Sequence, residues 1–240
     1  MKEYLKNGQG GIRMTRKNVW KDVDTYVEDK IVPKDAILEA NLNRNRQANL
    51  PEIDVSPTQG KLLHLLAKMN RSTSILEVGT LGGYSTIWLA RSLPEDGQLL
   101  SLELEEAHAE VARENIKVAG LESKVTVLVG KAAELLPTLE TKGYGPFDFI
   151  FIDADKQNYP TYFEWSLKLA ADGAVIIGDN VVRNGEVVNK SSDDNRVHGV
   201  RHFMDLLQQS DEIDATAIQT VGSKGYDGFV LGIVNKKNNE

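Results

Sequence analysis

The sequence predicts an α/β fold: an open parallel sheet covered by helices on both faces, finished by an antiparallel hairpin at its C-terminal end. Three observations carry this. From Arg71 onward, short apolar runs alternate with stretches of helical spacing. The runs are nearly continuous rather than alternating apolar with polar, which suits strands buried on both faces. After about residue 209 the alternation stops, and two apolar runs follow one another across a glycine-rich link, Gly222–Gly228.

Composition excludes several classes. With 240 residues, 41% of them hydrophobic, the chain can bury a sizeable core and does not read as disordered. No run approaches the ~18 apolar residues of a membrane span. There is no cysteine. That removes disulfides, zinc–thiolate sites, iron–sulfur clusters and a cysteine nucleophile, and leaves oxygen or imidazole to hold any metal. The net charge of −7 is unevenly spread. Residues 1–48 carry 10 basic and 7 acidic side chains, so the rest of the chain holds the whole acid excess. No apolar stretch of about 7–15 residues follows the early basic residues, so the start does not read as a secretory leader and a cytoplasmic protein is expected. Residues 1–19, with Asn7-Gly-Gln-Gly-Gly11, read as a flexible extension. Residues 20–240 read as a single domain whose first helices, over about 20–70, are accessory.

The elements follow in order. Val23, Tyr26, Val27 and Ile31 share one face of a helix starting near Trp20, and Pro33 ends it. A second helix runs from Asp35 through Leu42. After a loop with Pro51 and Pro57, a third runs from Thr58 to Met69. Ser74–Gly79 is a strand and Tyr84–Leu93 a helix. Gln98–Leu104 is a strand, followed by a helix over about 106–119. Val125–Gly130 is a strand, then a short helix reaches Leu136. Phe147–Asp153 and Gly173–Asp179 are strands separated by a helix over about 159–170. A helix over about 197–209 leads to Ala215–Val221 and Gly228–Val234, joined by a loop longer than two residues.

Chemistry is concentrated at strand ends. Glu77-Val-Gly79-Thr-Leu-Gly82-Gly83 lies where the first strand meets a helix, and its glycines let the backbone turn tightly against a ligand. The spacing departs from G-x-G-x-x-G, which argues against a pyrophosphate. Glu103, 24 positions after Gly79, ends the second strand, where a carboxylate can accept from both hydroxyls of a ribose. A ribose-bearing cofactor is expected. Asp153 ends the fourth strand, and Asp179-Asn180 end the fifth. Each taken alone reads as a helix cap. Together, on strands ~4.8 Å apart, two carboxylates and an amide oxygen make a half-shell for Mg²⁺, Ca²⁺ or Mn²⁺. Lys156 lies three residues past Asp153, and beside a dication a lysine is biased toward the neutral amine that can remove a proton. His198 and His202, spaced i, i+4, lack the intervening glutamate of a zinc protease and read as surface or interface residues.

The Glu77–Gly83 segment, Glu103, the run Phe151-Ile-Asp-Ala-Asp-Lys156 and the run Gly178-Asp-Asn180 together resemble the cation-dependent small-molecule O-methyltransferases, relatives of the catechol and caffeoyl-CoA enzymes. The resemblance covers about residues 20–235. It implies a Rossmann-like, seven-stranded methyltransferase sheet whose last strand is antiparallel, S-adenosylmethionine as methyl donor, and a homodimer. By position it implies that Asp153, Asp179 and Asn180 bind the divalent metal, Mg²⁺ or else Ca²⁺ or Mn²⁺, and that Lys156 is the general base. It gives Val55, Glu77, Gly79, Ser85, Glu103, Ala132, Asp153, Asp155 and Tyr162 to the cofactor, and Asn184 to the substrate. Plant members carry an aromatic residue where this chain has Arg183, and their long substrate-recognition insertion has no counterpart here. A catechol, phenylpropanoid or flavonoid with vicinal hydroxyls is therefore the expected acceptor, rather than caffeoyl-CoA.

Two other readings keep part of the pattern. Some relatives methylate a hydroxylated tRNA base, but the acidic main body and 7% aromatic content argue against a nucleic-acid platform. An NAD-dependent oxidoreductase would need the missing pyrophosphate loop.

Overall fold

The computed structural model describes residues 16–236; residues 1–15, most of the expected extension, lie outside it. Three helices come first: α1 (Arg16–Ile31), α2 (Ala36–Gln47) and α3 (Pro57–Met69). Alternation then begins with β1 (Ser74–Val78), α4 (Tyr84–Ala90), β2 (Gln98–Glu103), α5 (Glu106–Val118), β3 (Val125–Val129) and the short α6 (Ala132–Leu135). It continues with β4 (Phe147–Ile152), α7 (Tyr159–Leu169) and β5 (Ala170–Asp179). The chain ends with α8 (Asn195–Gln209), β6 (Ile213–Gly222) and β7 (Gly225–Val234).

The seven strands form one sheet in the order β3-β2-β1-β4-β5-β7-β6. The first five are parallel, and β7 pairs antiparallel with both β5 and β6. Continuous apolar runs are needed because both faces are covered. Along β4, Ile150 and Ile152 join Leu76, Leu102, Phe163 and Phe203 in one layer, while Phe149 and Phe151 join Ile75, Leu63, Ile87 and Ile116 in the other. Alternate side chains of each strand thus enter separate cores, each sealed by helices.

Local chemistry sets the helix starts. Asp35 caps α2, its Oδ1 accepting from the N–H groups of Ile37 and Leu38, and Ser56 caps α3 ahead of Pro57. Helix α1 begins at Arg16, four residues before the expected start. Its apolar face is not covered: Val23, Tyr26 and Ile31 are 53%, 65% and 69% exposed.

The hairpin differs from expectation. Gly222 pairs directly with Gly225, so only Ser223 and Lys224 form the loop. The glycines that read as a long link lie in the ladder. Gly225 takes a φ of +109°, open to glycine, to begin β7. Gly228 is there for room, since a Cβ would lie 2.4 Å from the Ile218 carbonyl. Among the described residues, no helix is long and apolar enough to cross a membrane.

Candidate active site

Strand β1 sits between β2 and β4, so the connections on its two sides leave in opposite directions and open a crevice at the carboxyl ends of β1 and β4. Gly79 and Asp153 meet there. Gly79 has φ +106°, and a Cβ on it would stand 2.2 Å from the Asp153 carbonyl oxygen. Only glycine lets the loop after β1 lie against the loop after β4.

The first loop is held from beneath by acids. Glu103 is 7% exposed; its Oε2 accepts from the N–H groups of Thr80 (3.2 Å) and Leu81 (2.7 Å), and its Oε1 from Glu105 N–H (3.0 Å). His108 Nδ1 lies 3.4 Å from the same Oε1. Glu77 has no exposed surface. Ser85 Oγ and Ser101 Oγ each donate to it at 2.6 Å, and Thr86 donates as well. Burial pushes the Glu77 carboxyl up to about 7, against the pull of these hydroxyls. Glu77 and Ser85 therefore form the floor of the loop.

The other residues expected at the cofactor lie in the segment before α3, at the start of α6 and in the turn and helix after β4. Val55 is buried in the segment leading into α3. Ala132 opens α6, where the first N–H groups of a helix lack intrahelical acceptors. Asp155 accepts a short hydrogen bond from the Tyr162 hydroxyl, and burial followed by that bond holds the phenol well above its usual range.

Asp153 and Asp179 close the far side. Burial first, and the Asp153 charge second, push the Asp179 carboxyl up to about 7. Lys156 Nζ donates to Asp153 Oδ1 at 2.8 Å, and Gln59 Nε2 donates to Asp179 Oδ2 at 2.6 Å. Lys156 is 6% exposed, and its ammonium also faces the Tyr159 ring, 4.9 Å from the centroid. Among the described residues, no three His, Asp or Glu side chains gather into a cation-binding group. The predicted donor set is smaller, two carboxylates and the Asn180 amide. The repulsion between its two acids is what a bound dication relieves, so the residues fit one. Asn180 has φ +56°, a left-handed conformation that asparagine tolerates.

A cavity of about 290 Å³ opens over Asp179, Asn180 and Asn184. Its other walls are Asp24 of α1, Gln59 and Leu62 of α3, and the tip of the β6–β7 hairpin. Asp24 Oδ2 accepts from Ser223 N–H at 2.6 Å, tying α1 to that tip. Asp227 Oδ1 accepts from the N–H groups of Val182 (2.9 Å), Arg183 (2.9 Å) and Gly228 (3.0 Å). It thereby pins a loop in which Arg183 and Asn184 are both left-handed. Arg183 Nε is buried without a hydrogen-bond partner.

Sequence reading missed Gln59, Asp24, Asp227 and Tyr159. None carries a local motif; Gln59, Asp24 and Asp227 reach the site from distant elements, and Tyr159 from the turn that follows Lys156. His198 and His202 are exposed, as expected.

The O-methyltransferase family model matches residues 28–231. A catechol O-methyltransferase from Niastella koreensis is 48% identical over 216 residues, covering 90% of this chain and 98% of that protein. An O-methyltransferase from Bacillus cereus, solved in complex with SAH, has 55% identity and a TM-score of 0.90, covering 91% of this chain and all of its own. The O-methyltransferase TomG from Streptomyces achromogenes, involved in tomaymycin synthesis and solved with SAM, has 46% identity and a TM-score of 0.90, covering 93% of this chain and all of its own. With the family match spanning the site and the relatives spanning nearly the whole chain, this protein belongs to the O-methyltransferase family and is an enzyme of that class.

Proposed function

We propose that this enzyme transfers a methyl group from S-adenosylmethionine to one hydroxyl of a small aromatic vicinal diol of catechol, phenylpropanoid or flavonoid type. A divalent cation, Mg²⁺ or else Mn²⁺ or Ca²⁺, is held by Asp153, Asp179 and Asn180. The observation that carries the reading is the acid pair. Asp179 is buried at the floor of the cavity, and burial first, with the Asp153 charge second, holds its carboxyl up to about 7. The cavity of about 290 Å³ gives room for the diol-bearing ring of such an acceptor. The catechol-methylating relative and the SAH- and SAM-bound neighbours support acceptor and donor.

When bound, the cation supplies charge that favours the deprotonated form of a chelated hydroxyl. The chain does the rest. Lys156 takes the hydroxyl proton as an amine and holds it as an ammonium beside Asp153 Oδ1. The acceptor oxygen bonds to the methyl carbon as the sulfur–methyl bond breaks, leaving the thioether SAH. Gly79, Ser85, Glu103, Ala132, Asp155 and Tyr162 hold the donor, with Glu103 on the ribose and Val55 on the methionine part. Glu77 keeps the loop floor in place, and Asn184 meets the acceptor. Alignment of oxygen, carbon and sulfur is the main catalytic contribution, worth up to about 7–11 kcal/mol.

The same reading makes residues 20–240 one catalytic unit in the cytoplasm, acting as a homodimer. The uncovered apolar residues of α1 support the dimer. The test is turnover of labelled S-adenosylmethionine with Mg²⁺ against catechols, flavonoids and tRNA, with and without chelator. Methylation of a vicinal diol, lost in chelator and restored by Mg²⁺, is expected. Full activity in chelator sinks the metal assignment, and turnover of tRNA alone sinks the acceptor class.

A further inference from the structure

Three asparagines buried to 1–2% exposure meet beneath the accessory helices: Asn41 and Asn45 on α2, and Asn115 on α5. Their amides form one closed set of hydrogen bonds. Asn41 Nδ2 and Asn115 Nδ2 both donate to the Gly82 carbonyl at 2.9 Å. Asn45 Nδ2 donates to Asn41 Oδ1 (3.2 Å) and to Asp54 Oδ1 (2.9 Å), while Asn45 Oδ1 accepts from Asn115 Nδ2 at 3.0 Å. The remaining oxygen, Asn115 Oδ1, accepts a short bond from Arg44. This arrangement fixes how each amide is turned, since reversing one would bring donor against donor.

What the set grips are two segments beside the cofactor crevice, Gly82 by its backbone carbonyl and Asp54 by its carboxylate. Gly82 lies in the loop after β1, whose Thr80 and Leu81 N–H groups are already held by Glu103. Gly83 N–H bonds the Thr80 carbonyl at 2.9 Å, so the Gly82–Gly83 peptide is held at both its oxygen and its hydrogen. Asp54 directly precedes Val55. Asn45 also packs flat on the loop, because a Cβ on Gly82 would lie 2.1 Å from its amide oxygen.

We propose that Asn45, acting through Asn41, Asn115 and Asp54, is a positioning residue for the methyl donor: it locks the Gly82 loop and the Asp54–Val55 segment into one wall of the donor site. The accessory helix α2 is then part of the donor site although none of its side chains touches the donor. This rests on the reading that those two segments bind S-adenosylmethionine.

The experiment titrates SAH into the full chain by calorimetry and measures acceptor KM at saturating donor. Asn45→Ala is expected to weaken SAH about tenfold, with acceptor KM unchanged. Asn41→Ala, which removes one of two donors to Gly82, is expected to weaken it about threefold. Asp35→Asn loosens α2 elsewhere, at its 2.7 Å ion pair with Arg91, and is expected to leave SAH affinity unchanged. A folded Asn45→Ala protein with wild-type affinity overturns the proposal. So does an Asp35→Asn protein that loses as much affinity as Asn45→Ala. Should Asn45→Ala fail to fold, unchanged affinity in Asn41→Ala overturns it. Failure of the wild-type chain to bind SAH would instead overturn the donor reading itself.

Discussion

The Tyr159 hydroxyl lies 2.7 Å from the main-chain oxygen of Asp179 and 2.9 Å from that of Ile152, so one O–H spans the ends of β5 and β4. The ring is 1% exposed and set edge-on against Phe203 at 5.6 Å. Burial, then the charges of Asp153 and Asp179, hold the phenol well above its usual range, so it stays a donor. Tyr159 thereby sets the spacing of the strands that deliver the two acids. Tyr159→Phe should keep the fold, cost about 1–2 kcal/mol of stability, and weaken Mn²⁺ binding about tenfold. Mn²⁺ titration by electron paramagnetic resonance checks this; unchanged affinity would show that the strand ends hold their spacing without the hydroxyl.

Protonation of Glu77 and Asp179 should favour the folded, metal-free protein. Glu77 and Asp179 both have carboxyls raised to about 7 in the fold, against about 4 in an unfolded chain. The folded state then binds more protons between those limits. Their contribution is greatest below about pH 4, falls as pH rises toward 7, and is flat above. Denaturant unfolding in chelator should show a stability loss over that window, with about 8 kcal/mol, the full linkage of two groups each raised by about 3 units, as its upper bound. Asp179→Asn should make the slope shallower; an unaltered slope would remove Asp179 from the account.

Gly199 of α8 presses on the turn that holds the proposed base. A Cβ there would lie 2.1 Å from the Lys156 carbonyl oxygen and 2.7 Å from Gln157 Cα, both backbone atoms that cannot swing aside. Gly199→Ala should cost about 1–3 kcal/mol and lower kcat while leaving SAH affinity intact. Thermal unfolding and calorimetry separate the two effects, and a wild-type kcat would count against a role for that turn in the reaction.

Asp227→Ala should act on the acceptor alone. Three N–H groups lose their shared acceptor, and the left-handed run through Asn184 is released. Acceptor KM should rise about tenfold or more with SAH affinity unchanged. Steady-state kinetics with the best acceptor decides it; an unchanged KM would mean that the loop keeps its shape unaided.

Much of this was legible in the chain. Continuous apolar runs revealed the parallel strands, because burial on both faces leaves no place for polar alternation. Asp153, Asp179 and Glu103 stood out because an acid at the end of such a run has no packing reason to be there. The rest depended on distance. Asp24 and Ser223 are 199 residues apart, and nothing in either local sequence points to the other. Asn41 and Asn45 carry no local signal, since helical spacing does not reveal that the partner surface is itself polar. The hairpin loop was misread because glycine serves close approach as readily as turning, and at Gly228 it serves approach.

The strand made last is not the strand at the edge. β7 inserts between β5 and β6, so the sheet cannot be completed in the order of synthesis. Residues 225–234 pair with β5 on one side and β6 on the other, and the same residues bring Tyr226, Asp227 and Phe229 to the cavity wall. Completion of that cavity wall is therefore tied to the docking of β7. A chain shortened before residue 225 would expose the buried strand Ala174–Asp179 as an open, sticky border. Loss of β7 would then be felt first as clumping and only second as lost catalysis.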